Sequence, residues 1–137
     1  MSMTRPPSEL CVHHLALLVN DLEASEKFYR DILGLEEEKR WFNDDGESLR
    51  SLWLRTGENS RLMLERATTT QNRRDKKASG WHLFALEIEA SKRRAWRDYL
   101  SAHGIAISGE SSFSLYFEDP EGNQIALSHW PHPAEQT

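Results

Sequence analysis

Tyr116-Phe117-Glu118-Asp119-Pro120-Glu121-Gly122-Asn123-Gln124-Ile125-Ala126-Leu127-Ser128 reads as a strand, a tight turn and a second strand. The ring of Pro120 presets φ for the turn, Gly122-Asn123 supplies residues that tolerate φ > 0, and apolar residues alternate on both sides. A hairpin near the C-terminus follows, and it fixes the phase of the strands around it.

The Asp119-Pro120-x-Gly122-Asn123 turn does not stand alone. Near the N-terminus His14-Leu15-Ala16-Leu17-Leu18-Val19-Asn20-Asp21 leads into Phe28-Tyr29 and then Leu33-Gly34. In this order and spacing the pieces resemble the vicinal oxygen chelate superfamily, which holds glyoxalase I, the bleomycin-resistance proteins, extradiol dioxygenases and fosfomycin-modifying enzymes. The likeness covers about residues 11 to 130.

Taken in order, residues 1–8 contain two prolines and no periodicity and read as a tail. Cys11 to Val19 reads as a buried strand, with Cys11 as a small core residue. Asn20 or Asp21 caps a helix, with Glu23 placed to complete a capping box with Asn20. Leu22, Phe28, Tyr29, Ile32 and Leu33 recur at helical spacing, and Gly34 sits where a left-handed C-terminal residue belongs. Strands are expected at Glu36 to Phe42, Leu49 to Arg55 and Arg61 to Glu65, closing a β-α-β-β-β unit. The polar, Thr-rich stretch from Ala67 to Gly80 reads as a linker. A strand from Leu83 to Ile88 follows, then a helix from Ser91 to His103 with Ala95, Trp96, Tyr99 and Leu100 on one face. Gly104 ends that helix, a strand is expected near Ile105 to Ile107, and the hairpin closes the series. The chain thus contains its own repeat. The expected organisation is a single domain over 9–130, with module one at 11–66, linker 67–80 and module two at 81–130, and a tail at 131–137.

Each half calibrates the other. Tyr29 and Tyr99 lie 70 residues apart, as do Gly34 and Gly104. In the first strands an offset of 69 sets Leu15, Leu17 and Val19 on Phe84, Leu86 and Ile88. Alternate side chains of a strand point to opposite faces, so these triplets are expected against the helices, with His14, Ala16 and Leu18 lining a cavity on the other face. An offset of 68 pairs His14 with His82 but sets Val19 against Glu87, driving a carboxylate into the core at a cost of several kcal/mol. The offset of 69 is therefore preferred, and it carries His14 onto Leu83. In the closing strands Leu62 and Leu64 match Ile125 and Leu127, so Met63 and Ala126 are expected on the cavity side.

The resemblance implies a fold of the α+β class: two repeated β-α-β-β-β modules whose curled mixed sheets surround a cavity. It also implies where a divalent metal sits in the members that use one: a His near the start of each module and a carboxylate on each module's last strand. Here those positions read His14, Met63, Leu83 and Ala126, and only the first is a ligand for a hard or borderline cation. Catalytic members carry a Glu where this chain has Ala126. The metal reading survives if module two begins one residue earlier, so that His82 joins His14.

Without a metal, the walls read by strand parity are His14, Leu18, Trp53, Arg61, Met63, Glu65, Glu87, Tyr116, Gln124, Ala126 and Ser128, an apolar and aromatic floor with a few polar groups, as in small-molecule sites. Fosfomycin-modifying relatives also place a cavity tyrosine at the position of Tyr116. Trp53 has a packing role as its plainer explanation, and Arg61 lies next to a loop. Glu87 is the more telling residue, a carboxylate in an otherwise apolar strand.

Three function classes follow. The first is a metal-free protein binding a small aromatic or amphipathic ligand, of the bleomycin-resistance type, with no cofactor. The second is a divalent-metal-dependent lyase, isomerase or dioxygenase with His14 and His82 as ligands. The third is a metal-free enzyme using Glu87, Glu65 or Tyr116 as acid or base, since burial raises a Glu pKa toward neutrality. A net charge of -5 over 137 residues, with short basic pieces, argues against nucleic acid. No apolar run reaches a membrane span and Met1 to Pro7 has no signal-peptide core, so a cytoplasmic protein is expected. The single cysteine fits a reducing compartment. By analogy with the superfamily, a homodimer is expected, its sites in some members shared between chains.

Overall fold

The computed structural model describes residues 5–69 and 77–134; the centre of the expected linker and both extreme ends lie outside these. Strand β1 (His14–Val19) leads into α1 (Leu22–Glu26), which widens into a π-helical turn over Lys27–Ile32. Three strands complete the first module: β2 (Glu37–Phe42), β3 (Leu49–Arg55) and β4 (Arg61–Arg66). The second repeats it, with β5 (Phe84–Glu87), a short 3₁₀ turn, α2 (Arg93–Ala102), β6 (Gly109–Glu110), β7 (Ser114–Glu118) and β8 (Gln124–Ser128). The two four-stranded sheets run β1-β4-β3-β2 and β5-β8-β7-β6. In each, the first strand is parallel to the last and the remaining pairs are antiparallel. This is the expected pair of β-α-β-β-β modules, with the two sheets left unjoined.

The phase read from the repeat holds. Leu15, Leu17, Phe84, Leu86 and Ile88 pack against the buried core, which includes Val19, Leu62, Leu64, Ile125 and Leu127. That core is shared by both halves. Phe28 of the first module meets Phe117 of the second, and the Tyr29 ring stacks near Phe84 at 6.2 Å. The Tyr29 hydroxyl donates to Asp119 Oδ2 across 2.6 Å, and Tyr99 donates to the Ile32 carbonyl at 2.7 Å.

Asp119 closes the hairpin turn. Its Oδ1 accepts from the amides of Glu121 and Asn123, its Oδ2 from the Asn123 side chain, and Gly122 takes a φ of +81°. Asn123 does not use a positive φ. The helix caps also repeat: Gly34 and Gly104 have φ of +79° and +74°, left-handed values that favour glycine.

Several local expectations are corrected. Cys11 is exposed and precedes the first strand, which starts at His14. The predicted strand at Ile105 to Ile107 is absent; both isoleucines pack on the core, and pairing begins only at Gly109, opposite Tyr116. Continuing that register sets Ile105 against Pro120, which has no amide to donate and lies beyond the end of β7. On α2 only Leu100 is fully buried, while Ala95 and Tyr99 are exposed. Asp21 is the N-cap of α1 and accepts from the Ala24 amide, but Glu23 does not complete the box. Glu121 takes that role from the other module, accepting from the Asn20 and Asp21 amides at 2.8 and 3.3 Å. Glu23 instead pairs with Arg66, which holds its carboxyl below the usual range.

Candidate functional site

Because the halves share a core on their helix-covered faces, the opposite face of each sheet is open within one chain. His14, Ala16, Leu18, Ala85 and Glu87 are exposed there, while Ser51, Ser114 and Ala126 of the same faces are buried. The strand register arranges the residues of these open faces in rows.

On the first sheet, Ala16 lies beside Met63, Met63 beside Trp53, and Trp53 beside Lys39. The next row runs Leu18, Glu65, Ser51 and Trp41; the other side carries His14, Arg61 and Arg55. The His14 ring lies 4.9 Å from Trp53, tilted by 45°, and its Nδ1 is 2.9 Å from Nδ1 of His13. Arg61 is held by two hydrogen bonds to Glu38, at 2.6 and 3.2 Å. That pairing lowers the Glu38 pKa and raises that of Arg61. Lys39 sits with Nζ 4.7 Å from the ring centre of Trp41.

On the second sheet, Ala85 lies beside Ala126 and Ala126 beside Tyr116, with Gly109 next in line. Glu87, Ser128 and Ser114 form the neighbouring row, and the Ser114 hydroxyl donates to Ser128 Oγ at 3.0 Å. Tyr116 donates to Ser111 Oγ at 3.3 Å. Gln124 pairs with Glu118 at the far end. The ten ligand-site candidates therefore divide: His14, Trp53, Arg61, Met63 and Glu65 on the first sheet, and Glu87, Tyr116, Gln124, Ala126 and Ser128 on the second.

The place where the two halves meet is a cleft of about 590 Å³ between the open edges of β1 and β5. Among the candidates His14, His82 and Gln124 line it, together with Leu83, Trp81 and Asn123. Trp53, Met63, Glu87 and Ala126 lie outside its lining. Parity alone did not single out Trp41 and Lys39: the ladder between β2 and β3 slips at Glu37/Lys39 and again at Trp41/Phe42, so their phase relative to Trp53 is set by bulges. Period-two spacing of Lys39 and Trp41 was the available signal.

The chain belongs to the Glyoxalase/Bleomycin resistance protein/Dioxygenase superfamily, whose family model matches residues 12–127. The chain is similar in fold to several solved structures. A glyoxalase/dioxygenase from Nostoc punctiforme is 23% identical, with 96% of this chain and 99% of that chain covered and a TM-score of 0.74. A glyoxalase family protein from Enterococcus faecalis is 20% identical over 86% and 96%, with a TM-score of 0.70. The fosfomycin resistance protein FosX from Listeria monocytogenes is 18% identical over 90% and 93%, with a TM-score of 0.67. FosX has also been solved with Mn(II) and a sulfate ion.

A superfamily metal site needs several N or O donors converging on one point. At the four superfamily positions this chain offers one imidazole, one thioether and two alkyl groups, of His14, Met63, Leu83 and Ala126. Ala126 is 1% exposed, and its methyl has no donor atom to offer a cation. Among the described residues no three His, Cys, Asp or Glu side chains come together to hold a metal ion. The residues do not fit the full ligand set. No helix among the described residues is long and apolar enough to cross a membrane.

Proposed function

We propose that this superfamily member binds a small aromatic or amphipathic molecule on the open faces of its sheets, in the cytoplasm, without a resident metal. The observation that carries the reading is the pair of rows Ala16–Met63 and Ala85–Ala126, which run methyl and thioether groups from the edge strand inward across each sheet. Around those apolar rows stand Trp53, Tyr116, His14, Arg61, Glu65, Glu87, Gln124 and Ser128. Few polar groups about an apolar floor suit ligand capture.

A homodimer belongs to the same reading. Among the described residues of one chain the two faces are open, β1 and β5 each have an unpaired edge, and Leu18 and Trp81 are 68% and 85% exposed beside them. Such edges are covered in stable proteins, and a second copy would bring a first-module face toward a second-module face.

The test is elemental analysis of the purified protein together with its mass in solution. We expect metal well below one per chain and a mass twice that of the chain. Nickel, zinc, manganese or iron at one per chain that survives chelation would overturn the metal-free reading.

A second reading is favoured by one observation: His14 and His82 line the same cleft. In it, both imidazoles bind a divalent metal at ~2.0–2.1 Å, as Zn–N bonds require, and the protein is a lyase, isomerase or dioxygenase. Retention of stoichiometric metal by the wild type and its loss in His82→Ala would establish it.

A further inference from the structure

We infer that the open face of the first sheet selects planar aromatic anions, with Trp41 and Lys39 as its specificity-determining residues. The inference rests on the ligand-binding reading above and names the class of ligand.

The rings come first. Trp53 stands at the centre of the face, with the Met63 side chain on one side, the His14 ring 4.9 Å away and Lys39 on the other side. Two residue pairs further along the ladder, Trp41 leaves half of its surface in water. Trp41 is on an edge strand, where an exposed indole gives nothing to the core. Two indoles, an imidazole and a thioether on one face make a platform for a flat π-system.

Charge then decides the sign of the ligand. Of the carboxylates near this face, Glu38 is bonded to Arg61 at 2.6 Å, and Glu65 lies 3.9 Å from Arg50. On the helix-covered side Arg40 is bonded to Glu26 and Glu37. Lys39 differs. Among the described residues it faces no carboxylate, and its ammonium lies over the Trp41 ring. Arg55, at the opposite end of the same face, reaches the Glu58 carbonyl at 3.5 Å and lies in the field of the Glu38 carboxylate, whose pKa it helps to lower. The platform therefore has at its β2 end one cation, Lys39, whose charge no acid among the described residues faces. A flat ring laid on Trp53 can present an acidic substituent to Lys39, its partner across the ladder, whose ammonium lies over the neighbouring Trp41 indole. A cationic ring would be repelled by Lys39 and would compete with it for Trp41. An aliphatic acid would forgo the stacking.

The probes are 2-naphthoate, 2-naphthol, 2-naphthylmethylammonium and cyclohexanecarboxylate, titrated calorimetrically into the wild-type chain and into K39Q, W41L and W53L. We expect 2-naphthoate to bind at least about 10-fold more tightly than the ammonium or the cyclohexane acid. Removing one unbalanced cation is expected to cost about 5-fold, so K39Q should weaken 2-naphthoate by that factor and leave 2-naphthol within twofold. W41L should weaken both naphthyl ligands by about 3- to 10-fold through lost stacking. If the ammonium binds as well as the carboxylate, or K39Q changes nothing while W53L abolishes binding, the anion selectivity is wrong and the binding face stands. If 2-naphthoate at millimolar concentration does not bind, or W53L leaves every probe unaffected, the face is not the site and both readings fall.

Discussion

Tyr29 is the residue through which the joining of the two halves can be measured. Its ring is fully buried and its hydroxyl meets the carboxylate of Asp119, itself 5% exposed, across 2.6 Å. Tyr29→Phe removes the hydroxyl without opening a cavity. It leaves Asp119 with its three remaining donors, the Glu121 and Asn123 amides and the Asn123 side chain. A hydrogen bond to a charged group contributes about 1.5–3 kcal/mol, which for a chain of this length is a fall in Tm of roughly 5–12 °C. The pH dependence gives an independent check. Burial, and then the Asp119 charge, push the Tyr29 pKa upward. The folded state thus keeps a proton that the unfolded chain releases near pH ~10. The stabilisation is complete below that pH and is lost as pH rises above it, at about 1.4 kcal/mol per pH unit for one proton. In urea titrations followed by tryptophan fluorescence, the gap between wild type and Tyr29→Phe should be constant from pH 7 to 9 and shrink above 10. A cost below about 0.5 kcal/mol at pH 7, or a gap unchanged up to pH 11.5, would refute the account.

Glu121→Ala should destabilise the fold by about 0.5–2 kcal/mol in urea titrations, since the Asn20 and Asp21 amides lose a charged acceptor at the start of α1. Ser25→Ala should be neutral or stabilising in the same assay: the Ser25 hydroxyl is buried and has no hydrogen-bond partner among the described residues, so its desolvation is uncompensated. Acid should weaken the fold. The carboxyls of Glu23, Glu37 and Glu110 are held below their ordinary range by hydrogen bonds from Arg66, Arg40 and Arg93 respectively. Their contribution is present above the unfolded carboxylate pKa, ~4.3 for Glu, and is lost as pH falls through the lowered folded values. The urea midpoint should drop below pH 4.5, less steeply in Arg93→Gln because Glu110 then has a smaller shift to lose.

What could be read from the chain follows from where the physical signal is dense. Leu49 to Arg55 was bounded without error because its apolar alternation ends in turn residues on both sides. The faces of β1 and β5 were read from the repeat because a shift of one residue would have buried Glu87. Failures cluster where a residue's role depends on a distant partner. Glu121 replaces Glu23 at the α1 cap from 100 residues away, and no local pattern announces it. Ile105 and Ile107 have the composition of a strand, yet the partner that would pair with them has already turned at Pro120. Cys11 is apolar enough for a core but lies before the sheet begins. For the candidate site, strand parity sorted the residues into faces, but could not show that the two faces open separately, nor carry the phase through two bulges to Lys39 and Trp41.

The Asp119-Pro120-Glu121 corner reaches back to the first module twice, through Tyr29 and through the amides ahead of α1. Neither tie passes along the covalent connection between the modules. A gene fragment encoding one repeat would yield a chain whose half of each tie has nothing to grasp. Two such fragments made in the same cell should find each other and restore the whole.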